Sequence, residues 1–368
     1  LIYEETSNLF IQPIFFIFFI GIFFSIIFAV FIKYNKVVPI FFLVPLIFIS
    51  FEIVISILLY GFPWISFSLI ISNQDHLLFN FKIFGTLITS YIVIQLFCFP
   101  YLFLSKNYLK LKYSLIFIFP IFFVLISQVK INDHNTNNDT VINIEIFQTN
   151  FQINNNDYEN RLSYLIENIK RSKADLIVFS ENNYPFIIQN YKIDKIQNII
   201  KDNQTVIIGG TRKENEEYFN SLLNITNTEI KHFDKKILVP FGEFLPFRNL
   251  LSFFYPISGD YDFTTGKNQR IISYTNNLSY IPIICYEIIF YWKLIDDFNY
   301  AGNFMVNITN DIWFGDYLGP YQHFYHAKIR AAEFNKPIIR VSNNGISAII
   351  DNKGKILSKI LLNEQSSI

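Results

Sequence analysis

The sequence predicts a bundle of membrane-spanning α-helices followed by an α/β domain, and three observations carry that expectation. Hydrophobic residues fill 51% of the 368 positions, 43 of them phenylalanine, while charged residues fill 16%. Soluble globular chains average about 25% charged, so part of this chain is built to avoid water. Residues 1–128 are almost continuously apolar. Beyond residue 140, short β-branched runs alternate with longer stretches that are polar on one face, the pattern of layered strands and helices.

In the apolar half four stretches, 10–32, 38–60, 83–104 and 113–129, approach or reach the ~17–25 residues that a helix needs to cross a bilayer core. A soluble helix rarely stays apolar on every face for so long, and a signal peptide would account for one stretch, not four. Lys33 and Lys36 fill the first connecting loop, and Lys106, Lys110 and Lys112 the third. The second loop, 61–82, holds Asp75, His76 and one lysine at its edge. Cationic loops stay in the cytoplasm, so everything after Lys130 is expected outside, which in a bacterium is the periplasm. Glu52, between Phe51 and Ile53 in the second stretch, is an ionisable group in an apolar run. It is either functional or a hydrogen-bonded packing residue.

The segment 132–140, Asn-Asp-His-Asn-Thr-Asn-Asn-Asp-Thr, has no apolar period and reads as a linker. The expected organisation is therefore a transmembrane domain over 1–130 with about four helices, a linker over 131–140, and a polar domain over 141–368. The chain opens on Leu1 and stops at Ile368 within polar sequence, so truncation, above all at the N-terminus, is expected. In the polar domain 141–147, 174–180, 205–209, 280–285 and 304–309 read as strands, and 156–170 and 321–335 as helices. Leu162, Leu165, Ile166 and Ile169 are spaced for one buried face of the first helix.

Three segments each put a reactive residue at the end of a strand-like run: Leu176-Ile-Val-Phe-Ser-Glu181, His232-Phe-Asp-Lys235-Lys, and Ile281-Pro-Ile-Ile-Cys285-Tyr-Glu287. A thiol of pKa ~8.5 is a weak nucleophile at neutral pH. A nearby carboxylate can take its proton, and a nearby ammonium can both favour the thiolate and hold the oxyanion formed when a carbonyl is attacked. Glu181, Lys235 and Cys285 are thus a sufficient set for acyl transfer if they meet, although singly such residues are more often packing or solvated groups. The other cysteine, Cys98, lies in an apolar run, so both are read as free thiols.

These segments, in this order, resemble the Glu-Lys-Cys triad of the nitrilase superfamily. The wider chain is similar to the family of bacterial apolipoprotein N-acyltransferases. Lys235 followed by Leu238-Val-Pro-Phe-Gly-Glu243-Phe-Leu-Pro246, Asn310-Asp-Ile-Trp-Phe-Gly-Asp316 with Gly319-Pro-Tyr-Gln-His323, Arg330-Ala-Ala-Glu333 and Arg340-Val-Ser-Asn-Asn-Gly-Ile-Ser-Ala348 carry the likeness. In the apolar half, so does Gly61-Phe-Pro-Trp64. Ser180 stands where the family usually has proline, and the family usually carries further transmembrane helices.

The resemblance implies a nitrilase-like α/β domain, a four-layer α-β-β-α sandwich, over 141–368. It implies Glu181 as general base, Lys235 as oxyanion cation and Cys285 as nucleophile. Glu243 would be a fourth active-site residue, a carboxylate that orients Lys235 or shuttles protons, and the Tyr286 N–H an oxyanion donor. Glu287 would be either a supporting salt bridge or a direct participant. The implied reaction is ping-pong acyl transfer from a phospholipid such as phosphatidylethanolamine, through a Cys285 thioester, to the α-amine of diacylglyceryl-cysteine on an apolipoprotein. It would run at the outer face of the inner membrane. The alternative is a membrane-tethered amidase acting on a small C–N substrate with the same triad. A transporter or scaffold with an inactive outer domain would leave Glu52 as its sole intramembrane charge. No cofactor is implied. His323, His326, Asp311 and Asp316 lack the spacing of a metal site, so none is expected, and zero net charge with no basic patch excludes a nucleic-acid partner. The Phe-, Tyr- and Pro-rich segment 245–266 reads as a lid or a packed surface loop.

Overall fold

The structure, a computed structural model, describes residues 40–98, 141–152, 157–189, 193–246, 261–296 and 299–368, with isolated positions between 21 and 33. The chain divides into two compact units, Leu1–Ile131 and Asn132–Ile368.

In the first unit, helix α1 spans Ile40–Ile57 and continues into a 3-10 turn, Leu58–Tyr60, over the expected stretch 38–60. Helix α2 spans Phe79–Phe97, broken internally at Gly85, whose φ is 67°; it starts four residues before the expected 83–104. Among the described residues α2 is long and apolar enough to cross a membrane. The expected stretch 113–129, the linker 132–140 and all but isolated positions of 10–32 lie outside the described residues, as do Lys36, Lys106, Lys110 and Lys112. Glu52 proves to be a packing residue here. Its Oε1 accepts the Phe67 N–H at 2.6 Å, and Ser66 and the Ser68 N–H both bond Ser90 of α2. Buried polar groups in an apolar bundle are paired in this way because an unpaired one costs several kcal/mol.

The second unit is built on two sheets. The first has the order β13-β1-β2-β4-β5-β6, with β3 also paired to β4. Its strands are β1 Ile144–Gln148, β2 Leu176–Phe179, β3 Ile188–Gln189, β4 Thr205–Glu214, β5 Glu217–Ile225, β6 Ile230–Asp234 and β13 Ser366–Ser367. The second has the order β12-β11-β10-β9-β8-β7: β7 Ile272–Ser273, β8 Ser279–Ile284, β9 Phe304–Thr309, β10 Ile338–Ser342, β11 Ser347–Ile350 and β12 Ile356–Ile360. β1, β2 and β4 are mutually parallel, as are β8, β9 and β10. Parallel neighbours need a crossover, and α3, Tyr158–Arg171, supplies one between β1 and β2. α4, Leu318–Phe334, supplies another between β9 and β10.

α3 forms because Leu162, Leu165 and Ile169 fall on one face, with Asp157 accepting the Asn160 N–H at its start and Lys170 and Arg171 in its last turn. That face buries against Ile177 and Phe179 of β2 and Val206 and Ile208 of β4. Each fully buried Leu or Ile contributes about 1.5–3 kcal/mol. The two sheets meet at β1 and β2 against β10 and at β5 against β8, where Tyr280 Oη donates to Asn224 Oδ1 at 3.1 Å.

The expected strands near 174–180, 205–209, 280–285 and 304–309 are present within a residue or two at most ends, with β4 running on to Glu214. β5, β6, β10, β11 and β12 exceed that expectation. β5 shows why: Asn220, Ser221 and Asn224 are buried on it, and each makes hydrogen bonds inside, so no apolar run marks the strand.

Candidate active site

β4 is antiparallel to β5, and β5 to β6, so β6 points the same way as β2 and β4. Glu181 follows the carboxyl end of β2, Lys235 that of β6, Cys285 that of β8, and Asn310-Asp311 that of β9. The carboxyl edges of parallel strands are where α/β sheets form their sites. Here the two sheets converge, because the Asn310 N–H donates to Glu181 Oε2 at 2.9 Å.

The structure brings Glu181, Lys235 and Glu243 together. Lys235 Nζ lies 3.4 Å from Glu181 Oε1 and 2.9 Å from Glu243 Oε1. Lys235 is 1% exposed and Glu181 4%. Asn220 on β5 donates to both carboxylates, at 2.7 Å each, and Glu243 Oε2 accepts the Val239 N–H at 2.8 Å. Burial raises the Glu181 pKa, Lys235 opposing and Glu243 reinforcing that rise. Burial works against the Lys235 ammonium, yet Glu243 and then Glu181 outweigh it and hold the amine firmly protonated. A cation that stays charged beside a carboxylate inclined to take a proton is suited to oxyanion and base chemistry respectively. β4 can pass close behind Glu181 because position 209 is glycine. A Cβ there would sit 2.5 Å from the Glu181 Cα.

Cys285 opens a 3-10 turn, Cys285–Ile289, directly after β8. Its φ is +49°, a left-handed conformation that costs a non-glycine residue about 1 kcal/mol or more and clusters at functional sites. Cys285 is buried. Burial and then the Glu181 charge push its pKa well up, with Lys235 pulling it down. The raised pKa favours the neutral thiol.

Glu287, for which two readings were open, is wholly buried as a structural ion pair. Arg270 donates to both its oxygens, at 2.7 and 2.8 Å. Its oxygens also accept the Lys236 and Ile237 N–H groups at 2.8 and 3.2 Å and the Ile284 N–H at 2.9 Å. Burial opposes its charge, but Arg270 outweighs it and holds the carboxyl below the usual range. One side chain thereby ties the segment after Lys235 to the residue before Cys285. Tyr286 is buried with its ring edge-on to Phe290, centroids 5.0 Å apart.

Asn220 escapes sequence reading because its strand has no apolar signature. Asp311, His323, His326 and Asp316 do not gather around one point: Asp316 accepts from Asn363 at the surface, while His323 faces Asp311 at 2.7 Å. Of the segment 245–266, residues 247–260 lie outside the described residues.

The carbon-nitrogen hydrolase family profile matches residues 148–367. The apolipoprotein N-acyltransferase of Rickettsia prowazekii (strain Madrid E) is 32% identical over 351 residues, 91% of this chain and 70% of that one. That of Rickettsia bellii (strain RML369-C) is 32% identical over 97% of this chain and 73% of its own length. That of Allorhizobium ampelinum is 36% identical over 207 residues. There the match takes in 52% of this chain and only 39% of the relative's length. A CN-hydrolase superfamily protein of known structure from Xanthomonas campestris is 17% identical, with a TM-score of 0.46 over 62% of this chain and 88% of that one.

Proposed function

Because the chain belongs to the carbon-nitrogen hydrolase family, and within it to the apolipoprotein N-acyltransferases, we propose that it moves an acyl chain from a phospholipid to the N-terminal amine of diacylglyceryl-cysteine on apolipoproteins. The observation that carries this reading is the buried meeting of Glu181, Lys235 and Glu243 at 2.9–3.4 Å, with the buried Cys285 thiol close enough to feel the charges of Glu181 and Lys235.

In the first half-reaction Glu181 takes the thiol proton as sulfur attacks the ester carbonyl. Lys235 and the Tyr286 N–H hold the tetrahedral oxyanion, and Glu243 and Asn220 keep Lys235 and Glu181 in register. The C–O bond breaks, the lysophospholipid leaves with the proton from Glu181, and a thioester remains on Cys285. In the second half, the acceptor amine attacks that thioester and gives its proton to Glu181. The C–S bond breaks, sulfur recovers the proton, and the product is an amide. A water-poor site protects the thioester from hydrolysis. Metal and cofactor have no part in these steps.

The apolar first unit would place this chemistry where both acylated substrates reside, as a multi-pass protein of the bacterial inner membrane with its α/β unit on the periplasmic side. An amidase acting on a small C–N substrate would use the same triad, but such a substrate gives no reason for apolar helices. The test is incubation of the full chain with phospholipid, then with a synthetic diacylglyceryl-cysteine peptide. An acyl mass on the Cys285 peptide that is discharged to the acceptor amine is expected, and Cys285→Ala should abolish both. Release of free fatty acid or ammonia with no acylated Cys285 would refute transfer.

A further inference from the structure

Among the buried charged groups that the steps above leave unused, one chain ends on the backbone of Cys285. His323 of α4 is wholly buried. Its Nδ1 lies 2.7 Å from Asp311 Oδ1, and its Nε2 lies 3.2 Å from the backbone carbonyl oxygen of Cys285. Asp311 is fixed in turn: Thr309 Oγ1 donates to Oδ1 at 3.0 Å and Arg340 Nη2 to Oδ2 at 2.8 Å. Arg340 is itself wholly buried and donates to Asn307 Oδ1 at 2.5 Å. The chain also closes tightly over this group, since a Cβ on Gly345 would stand 2.1 Å from Asp311 Oδ2.

Such investment in one ring needs a purpose, because each of these charges is costly to bury unless paired. The Cys285 carbonyl supplies it. Cys285 holds a left-handed backbone at φ +49°, a conformation that persists only where the surroundings over-determine it. The carbonyl oxygen is one end of that peptide plane, so fixing it resists relaxation of the residue to ordinary φ and holds the thiol in place. We propose that His323 is a positioning residue for the nucleophile. Its Nε2–H donates to the Cys285 carbonyl and holds the strained backbone, and the Asp311–Arg340 pair aims the ring.

Nδ1 faces the Asp311 carboxylate at 2.7 Å and Nε2 the Cys285 carbonyl at 3.2 Å. A single proton therefore sits on Nδ1, and the contact with the carbonyl is made by the doubly protonated ring. Burial opposes that second proton and lowers the ring pKa, while Asp311 favours it.

The inference rests on Cys285 being the nucleophile, so its test reads the thiol itself and needs no lipid substrate. The rate of iodoacetamide alkylation at Cys285 is followed by peptide mass mapping in the full chain in membranes, with Cys98 as the second thiol. Glutamine places an N–H close to the histidine Nε2 and asparagine close to Nδ1, so H323Q retains the donor to the carbonyl and H323N loses it. Both variants disturb the packing of α4, and melting temperatures should fall in both. The alkylation rate should fall by about tenfold or more in H323N, the rate consequence of losing one ordinary hydrogen bond, while H323Q stays within a few-fold of the original chain. Equal rates in H323N and the original chain, or an H323Q as slow as H323N, would overturn the proposal. If H323N does not fold, D311N carries the comparison: slower alkylation is expected, and an unchanged rate overturns the proposal. A Cys285 no more reactive than Cys98 in the original chain would instead remove the nucleophile, and with it the function proposed above.

Discussion

The cluster around Lys235 holds two carboxylates, Glu181 and Glu243, against one ammonium, all three largely buried. Burial keeps Glu181 readier for a proton than an ordinary carboxylate, with Lys235 opposing that and Glu243 adding to it. This fixes the sign of a pH effect. As the proposed base Glu181 works only when ionised, and a raised pKa means that it captures a proton at a higher pH than a solvated glutamate would. The acid limb of a pH profile for Cys285 acylation should therefore fall away above the usual carboxylate range. Glu181→Gln should lower the rate by about 10²–10⁴-fold, the span of general-base catalysis, and erase that limb; a variant that keeps it would assign the titration elsewhere. Lys235 makes a different prediction. Lys235→Met leaves Glu181 and Glu243 facing each other without a cation, and breaking a buried pair in this way costs about 3–5 kcal/mol. The expected outcome is a clearly lowered melting temperature together with lost acylation.

Elements decide how near those residues come. Gly209 lets β4 lie against the turn that carries Glu181, and a methyl group there would meet the Glu181 Cα at 2.5 Å and the Asn182 nitrogen at 2.8 Å. Gly209→Ala should therefore displace the base and reduce acylation by tenfold or more, about 1.4 kcal/mol in barrier. Asp157→Ala, at the start of α3 and away from the site, should cost about 1 kcal/mol of stability with the acylation rate unchanged; urea melts beside rate measurements separate the two. The same elements explain what the sequence discloses. β2, β8 and β9 are apolar runs, so the strands ending at Glu181, Cys285 and Asp311 can be read directly. β5 hides because Asn220, Ser221 and Asn224 interrupt its apolar residues, bonded inside to Glu181 and Glu243, to Asp234 and to Tyr280 respectively. Asn220, which bridges both carboxylates, is hidden with it. Asp311 and His323 are visible as residues but not as partners. The sequence places His323 twelve positions from Asp311 and thirty-eight from Cys285, and only the folding of α4 against the turn after β8 brings the three together. Glu287 remains open in the sequence for a similar reason, since its partner Arg270 has no motif around it.

For the molecule as a whole, the proposed function requires the α/β unit to lie on one particular side of the membrane. Read from sequence, Lys33, Lys36, Lys106, Lys110 and Lys112 fall between apolar stretches in the pattern expected of cytoplasmic loops, which would put the α/β unit outside. The proposed acceptor makes the same demand, because a lipoprotein amine is available only after export. The reverse orientation would strand the thiol among cytoplasmic water and substrates with no acylated amine. Tyr317, at the entrance to α4, is 85% exposed and offers a reporter outside the triad. A Tyr317→Cys variant in intact spheroplasts should react with a membrane-impermeant maleimide, with the adduct located by mass mapping to separate it from Cys98 and Cys285. Labelling that begins only after the membrane is opened would put the α/β unit in the cytoplasm. Lipoprotein N-acylation would then lose its acceptor, whereas an amidase using the same triad would not.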